Sequence, residues 1–382
     1  MKLLSPVDAL GPAFRRTREV MAVPFRLGFF LKIALVAALT QPGFYSMIFS
    51  YPIQGAQFAA GSAMKHGHNA LPASEFSGGA GAMAGGIFLA SLAISLLIGV
   101  VVWVLVTYLF CRLRFTLFDL VVYRRGRVRE AWSKYGSQTW RYFGVVLLVS
   151  FVFLIAAAAT IGPLIIHMLG AFKTIAAAGA NPNPNPWPLL EQMLPIIGVG
   201  FLLGLVWVVV DAVLQDFVLP PMAVENAPIE GAFGRFFALL REDFGSVLLY
   251  LLLRFMIALG ISWVLMIVVF VALVFLGIGG LAVGFGLYHA MWQGGIGARV
   301  AFVAMAAAMA LILMAVYLLA VIAVYGIAAV FKQSFAAYFF GSRYLELGNR
   351  VEPPAAEHPA EEKIEPLLPP MPPPLSEPPP VW

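Results

Sequence analysis

A few ionisable residues stand inside or beside long apolar segments, where a charge is costly and often functional. Asp211, Asp216 and Arg254 are the clearest, and each stands near the predicted end of an apolar segment. Their opposite charges predict a membrane-end ion pair between Arg254 and either Asp211 or Asp216. The preferred interpretation is that these charges set the depth of the helices at the interface. A proton or ion site is the alternative.

A second group of ionisable residues is a run of arginines after the second apolar segment. Arginines beside a membrane helix attract anionic lipid headgroups by about 1 kcal/mol per cation. They could instead pair with acidic residues of a later loop, or simply hold their own loop on the cytosolic side. Orientation is the preferred interpretation. The candidates for anionic-lipid contact are Arg112, Arg114, Arg124, Arg125, Arg127 and Arg129.

The sequence contains no recognisable catalytic or metal-binding motif. The P-loop, HExxH, GxSxG and CxxC patterns are all absent. His66 and His68 stand two residues apart without a supporting cluster, and a structural zinc site needs four ligands. We therefore expect a protein that is not an enzyme and that holds no metal and no cofactor.

The composition places the chain in a membrane. Of its 382 residues, 61% are hydrophobic and 11% are charged, whereas about 25% are charged in soluble domains. Several apolar runs reach the roughly 20 residues that a spanning helix needs, without the alternation of β-barrel strands. We predict an all-α polytopic membrane protein with six transmembrane helices. They fall near residues 28–50, 84–110, 144–168, 194–219, 254–280 and 300–330.

The first of these six predicted spans follows a polar arm at residues 1–27. We predict that this arm is a cytosolic amphipathic helix lying on the membrane. Its cations would meet lipid phosphates, and its apolar residues would enter the interface. The cations are Arg15, Arg16 and Arg18, and the apolar residues are Phe14, Val20 and Met21.

The predicted membrane domain covers residues 28–350, with amphipathic interfacial elbow helices between its spans. Apolar residues also precede the fifth span, and we expect an interfacial segment from 244 to about Arg254. The composition of residues 351–382 differs completely from that of the membrane domain. These residues contain twelve prolines and cannot form a core. We predict a disordered cytosolic Pro/Glu-rich tail. The tail is a candidate for docking on a partner protein, although an unbound tail is the preferred interpretation.

An internal repeat relates two parts of the membrane domain. Residues 131–148 align without gaps to 232–249, with six identical positions. Upstream, LFDLV at 117–121 matches LQDFV at 214–218 and places Asp119 opposite Asp216. We predict a parallel repeat covering residues 111–148 and 211–249. Many transporters have inverted repeats instead, which counts modestly against secondary transport.

The distribution of cations predicts the orientation. Segments on the predicted cytosolic side carry eighteen Lys and Arg residues, and the outer segments carry three. Positive charge is retained in the cytosol during insertion. We therefore expect both termini to be cytoplasmic.

The opening residues carry a resemblance to a known family. From Ser5, SPVDALGPAFRRTREVMAVPFRLGFFLKIALVAAL resembles the start of an uncharacterised bacterial family of multi-pass membrane proteins, a domain of unknown function. The repeated elbow is more weakly similar to the membrane domain of some glycerophosphodiester phosphodiesterases, although no phosphodiesterase catalytic domain is present. The family resemblance implies a bacterial inner membrane and brings no catalytic residues.

Two functions fit these features. The leading hypothesis is a non-enzymatic inner-membrane scaffold or accessory factor that acts through its helices, elbows and tail. The alternative is a transporter or permease-like component for a lipid-like or small hydrophobic solute. Its partners would be the lipid bilayer and anionic headgroups, and we expect no nucleic acid partner. A polar cavity between the helices would favour transport, and a solid core would favour scaffolding.

The orientation can be tested by reversing the arginines of the first elbow. Glutamates at Arg124, Arg125, Arg127 and Arg129 should scramble the topology, because the cytosolic loop would lose its retention signal. Reporter fusions to each loop measure the topology, and the same four arginines changed to lysine are the control. Unchanged reporter signals in the glutamate variant would contradict the prediction.

Overall fold

The computed structural model describes residues 3–23, 26–41, 79–123, 128–177, 187–292 and 295–352. Within these ranges every regular element is helical, and the predicted all-α class is confirmed. In chain order the elements are α1 (Leu10–Ala22), α2 (Leu27–Ala38), α3 (Gly79–Tyr123), α4 (Val128–Lys134), α5 (Gly136–Ala177), α6 (Trp187–Val213), a π-helical turn (Leu214–Val218), α7 (Leu219–Glu225), α8 (Ile229–Glu242), α9 (Phe244–Trp292), α10 (Ile296–Gly341) and α11 (Leu345–Val351).

Five described helical stretches are long and apolar enough to cross a membrane. They are Ala93–Tyr123, Gly136–Gly170, Met193–Glu225, Phe244–Val268 and Ile296–Gly341. These stretches fit the predicted polytopic membrane protein. For the first predicted span, the structure describes only the 12 residues of α2, which reach about 18 Å. Its continuation at 42–50 lies outside the described residues, so the sixth span stays a prediction.

Three helices run further than the sequence indicated. The second predicted span continues to Tyr123 in α3, so Arg112 and Arg114 lie on a helix instead of in a loop. α5 runs from Gly136 to Ala177 through Pro163, beyond both ends of the third predicted span, and α9 is continuous across Arg254 without a separate interfacial segment. Membrane helices tolerate proline. Arg114 and Arg254 stay in helix because each is paired with a carboxylate inside the bundle.

The buried core lies at one end of the long helices. In the most apolar stretch of each spanning helix, at most 6% of the residues are buried. The buried side chains instead surround Phe217, whose ring centroid lies 5.3 Å from that of Phe236 and 5.4 Å from that of Tyr250. Tyr250 also stacks on Phe339 at 4.4 Å. Such ring pairs contribute about 0.5–1.5 kcal/mol each beyond the area that they bury, so this aromatic cluster fixes the helix ends.

α1 packs against other helices with residues that we predicted for lipid. Val20 and Met21 are buried against other helices, and Phe14 is exposed. Arg16 is 2% exposed. Its Nε donates to Val121 O (3.0 Å) and its Nη2 donates to Val122 O (2.7 Å). These are carbonyls of the last turn of α3, which lack helical partners. Arg16 therefore caps α3, and the prediction that it meets lipid phosphates is wrong.

α2 packs closely against α10. A Cβ on Gly326 would lie 2.5 Å from Ala34 Cα and 2.7 Å from Ala34 O. Backbones come this close only where a small residue leaves room, which is common between membrane helices. Gly326 thus fixes the position of α2 and of Gln41, which follows the C-terminal end of α2.

Arg343, just beyond α10, joins three separate parts of the chain. Its guanidinium donates to Leu4 O and to Asp243 Oδ2, both at 2.9 Å, and lies over the ring of Phe339 at 4.2 Å. The hydrogen bond from Arg343 holds the pKa of Asp243 below its usual range, with a smaller contribution from Ser246. The N-terminal segment, the start of α9 and the end of α10 are therefore linked.

The helix contact at Gly326 can be tested with one methyl group. Gly326→Ala should destabilise the protein by about 1–3 kcal/mol, since the new Cβ meets backbone that cannot move aside alone. Gly260→Ala is the matched control, because a Cβ there meets nothing within 4 Å. Thermal unfolding in detergent measures both. Equal stability of Gly326→Ala and the control would show that α2 does not pack as described.

Candidate functional site: a cavity beside a charged layer

Five charged side chains lie at the same level of the helix bundle, next to the aromatic cluster. We call them the charged layer: Arg114, Asp211, Asp216, Arg254 and Lys332. They come from α3, α6, the π-helical turn, α9 and α10. All five belong to stretches that are apolar enough to span a membrane, so each charge needs compensation within the bundle.

Arg114 joins α3 to α6. Its Nη2 lies 2.6 Å from Asp211 Oδ1, and its Nη1 donates to Tyr142 Oη at 3.3 Å. The guanidinium also lies over the ring of Phe110 at 4.3 Å. Arg114 is 2% exposed. It therefore faces Asp211 inside the protein and is out of reach of a lipid headgroup.

Arg254 joins α9 to the π-helical turn. It forms an ion pair with Asp216, and its Nη2 donates to Gln215 Oε1 at 3.4 Å. The hydroxyl of Tyr250 donates to Asp216 Oδ2 at 2.5 Å. The sequence left Asp211 and Asp216 open as partners of Arg254. In the structure Arg254 pairs with Asp216, and Asp211 pairs with Arg114 instead.

Asp119 shares this pattern with its counterpart in the repeat, Asp216. Its carboxylate is 0% exposed and accepts a hydrogen bond from Tyr135 Oη (2.6 Å) and another from Lys134 Nζ (3.1 Å). Both aspartates therefore have a tyrosine and a cation as partners. These contacts hold the end of α4 against α3 and the π-helical turn against α9. The repeat itself stays a prediction.

A cavity of about 610 Å³ borders the charged layer. It lies between α6, α9 and α10, and Gln41 closes one side of it. Its charged and amide lining comes from Gln41, Asp211, Gln215, Arg254 and Lys332, and two hydroxyl side chains, Ser262 and Tyr325, line it further along α9 and α10. Apolar walls extend from there along the distal helix halves, through Leu205 and Val208 on α6 and Ala258 and Ile261 on α9.

The apolar walls are long enough to take part of a hydrocarbon chain. The distance along α9 from Arg254 to Ser262 is about 12 Å at the usual helical rise. Leu205 and Val208 are 37% and 44% exposed, so the cavity is open towards the outer surface of the helices. The arrangement therefore offers polar groups at one end and an open apolar groove at the other.

Lys332 is the cation of the layer without a carboxylate partner. Its Nζ donates to Gln41 Oε1. Across the part of the chain that the structure describes, the ion pairs include Arg114 and Arg254 but not Lys332. A lysine buried in an apolar helix bundle needs compensation for its charge. One amide oxygen neutralises no charge, so this site favours a bound anion.

Two other predicted lipid-contact arginines, Arg112 and Arg129, do not line the cavity. Arg112 is half-buried, with its guanidinium over the ring of Trp132 at 4.6 Å and its Nη2 donating to Trp132 O at 3.2 Å. Arg129 is exposed. Arg124, Arg125 and Arg127 lie outside the described residues, as do His66 and His68. Lipid contact by the exposed arginines stays a prediction.

Sequence reasoning missed Lys332, Gln41 and Gln215 as members of a site. Lys332 lies just beyond the sixth predicted span, which ended near residue 330. A signal was present, because KQSFA at 332–336 resembles LQDFV at 214–218 in the position of its glutamine. In the structure these glutamines meet, with Gln215 Nε2 donating to Gln333 Oε1 at 3.2 Å.

The comparisons with known proteins agree with the resemblance seen at the start of the chain. A family model described as Family of unknown function (DUF7544) matches residues 4–350, and the chain belongs to this family. No curated protein and no solved structure matches the chain significantly. The comparisons do not show the likeness to glycerophosphodiester phosphodiesterases.

The charged layer predicts strong coupling between Arg114 and Asp211. Arg114→Met should cost about 3–5 kcal/mol, because it leaves Asp211 without its buried partner. The double variant Arg114→Met with Asp211→Leu should regain most of that loss. Arg15→Met, in an exposed pair with Glu352, should have no measurable effect. Unfolding in detergent gives all these values, and additive losses in the double variant would disprove the coupling.

Proposed function

We propose that this member of the DUF7544 family is a non-enzymatic membrane protein that binds a lipid-like solute in its cavity and contributes to its transport. We place it in the bacterial inner membrane with both termini in the cytosol, as its cation distribution indicates. The charged layer then lies near the cytosolic headgroup level. The apolar walls point into the bilayer.

One observation carries the proposal: the cavity has its charged residues at one end and open, mostly apolar walls at the other. An amphiphile has the same division of polarity, and it would enter from the bilayer without crossing water. Ligand sites are typically apolar clefts with a few placed polar groups, and volumes of about 300–1,000 Å³ are usual. The cavity's volume of about 610 Å³ falls within that range.

The cavity also favours one of the two functions that the sequence left open. A scaffold that acts through its surface needs no cavity, and paired charges alone would hold its helices together. We therefore prefer the transport-related alternative to the scaffold. Docking of a partner on the Pro-rich tail stays a separate prediction, because residues 353–382 lie outside the described residues.

The proposal can be tested by filling the cavity. Ala258 lines it on α9, and Ala258→Phe should reduce the lipid retained by the purified protein, because the ring occupies the space of an acyl chain. Native mass spectrometry after detergent exchange counts the bound lipids. Ala307→Phe is the matched control, since Ala307 is exposed on the distal half of α10.

Two results would contradict the proposed function. One is retention of the same number of lipids by Ala258→Phe, the control and the unchanged protein. The other is the absence of any retained lipid in the unchanged protein. Thermal unfolding of both variants shows whether a loss of lipid follows from a loss of fold.

A further inference from the structure

The charges around the cavity do not balance. The charged layer contains the cations Arg114, Arg254 and Lys332, and the carboxylates Asp211 and Asp216. Each carboxylate is already paired, Asp211 with Arg114 and Asp216 with Arg254. With Lys332 protonated, one positive charge is therefore left over, and it is located on Lys332. In an apolar bundle such a charge attracts an anion more strongly than it would in water.

Lys332 is also placed to meet a ligand. It lines the cavity together with Gln41, Gln215 and Arg254. An ammonium group has three donors, and the contact with Gln41 Oε1 uses one of them. The remaining donors are available to an anion that enters the cavity.

We propose that Lys332 binds the anionic headgroup of the amphiphile, and that the preferred headgroup carries a single negative charge. This inference rests on the proposed function. A single charge matches the single uncompensated cation. A second negative charge would meet Asp211, which lines the same cavity. The ligand is thus an acidic lipid such as one with a phosphodiester headgroup and no amine.

Gln41 gives this proposal a sharp test. Gln41→Glu keeps the shape of the side chain and places a carboxylate where the Lys332 contact already exists. The chain would then supply its own counter-ion, and the headgroup would lose its partner. Lys332→Gln removes the cation directly, whereas Lys332→Arg retains it.

The experiment measures binding of lipids with identical acyl chains to the full-length protein in detergent. The three lipids are phosphatidylglycerol, phosphatidylcholine and uncharged diacylglycerol, and inorganic phosphate is a fourth ligand. Phosphatidylglycerol should bind about tenfold more tightly than the other two lipids, as expected for one charge-assisted contact. Inorganic phosphate should bind far more weakly, because it cannot fill the apolar walls.

The variants should separate charge from structure. Gln41→Glu and Lys332→Gln should each lose the preference for phosphatidylglycerol while still binding diacylglycerol. Lys332→Arg should keep it. Gln138→Glu adds the same charge outside the cavity and should leave binding unchanged. If Lys332→Gln fails to fold, Gln41→Glu decides the result.

Several results would overturn the proposal. Equal binding of all three lipids would remove the anionic preference and leave the proposed function standing, whereas no binding of any lipid would overturn both. Inorganic phosphate binding as tightly as phosphatidylglycerol would show an anion site that does not select an amphiphile. Glu75 is the one carboxylate within residues 42–78. A gain in phosphatidylglycerol affinity in Glu75→Gln would identify an internal counter-ion instead.

Discussion

Burying charge in an apolar helix bundle is the constraint on which this structure depends. An unpaired charge in a membrane helix is expensive, and breaking a buried pair costs several kcal/mol. The pairs therefore decide which helices must lie together. Arg114 with Asp211 joins α3 to α6, and Arg254 with Asp216 joins the π-helical turn to α9. The hydrogen bond between Gln215 and Gln333 adds α10.

The same pairs explain why the protein is tightly packed at one end only. Asp216 accepts from Tyr250, and Tyr250 stacks on Phe339, so ion pairs and aromatic rings form one continuous core. The distal halves of the helices are almost entirely exposed and suit contact with lipid. A cavity with polar and apolar ends forms where the packed end meets the open end. The extra charge of Lys332 gives this cavity a chemical preference.

Part of this structure was predictable from the sequence. Apolar length and low charge predicted helices and a membrane, because both follow from composition alone. Asp211, Asp216 and Arg254 attracted attention for the same reason, since charges inside apolar segments are rare. The pairing was not predictable. Which aspartate meets Arg254 depends on how α6 and α9 cross, and Arg114 lay in what we predicted to be a cytosolic loop.

The predicted ends of the membrane helices were wrong for a related reason. A charge usually indicates the end of a membrane span, but a partner on a neighbouring helix can remove that penalty, as at Arg114 and Arg254. The interior roles of Arg16 and Gly326 could not be predicted either. A carbonyl cap and a backbone contact depend on segments about 100 and 290 residues away in the sequence.

An experimental structure in a lipid nanodisc would test the central claim most directly. Our account predicts density for a headgroup within hydrogen-bonding distance of Lys332 Nζ, with a chain running along Leu205, Val208 and Ala258. A cavity filled by a segment of the protein, or a carboxylate of the chain bound to Lys332, would contradict it.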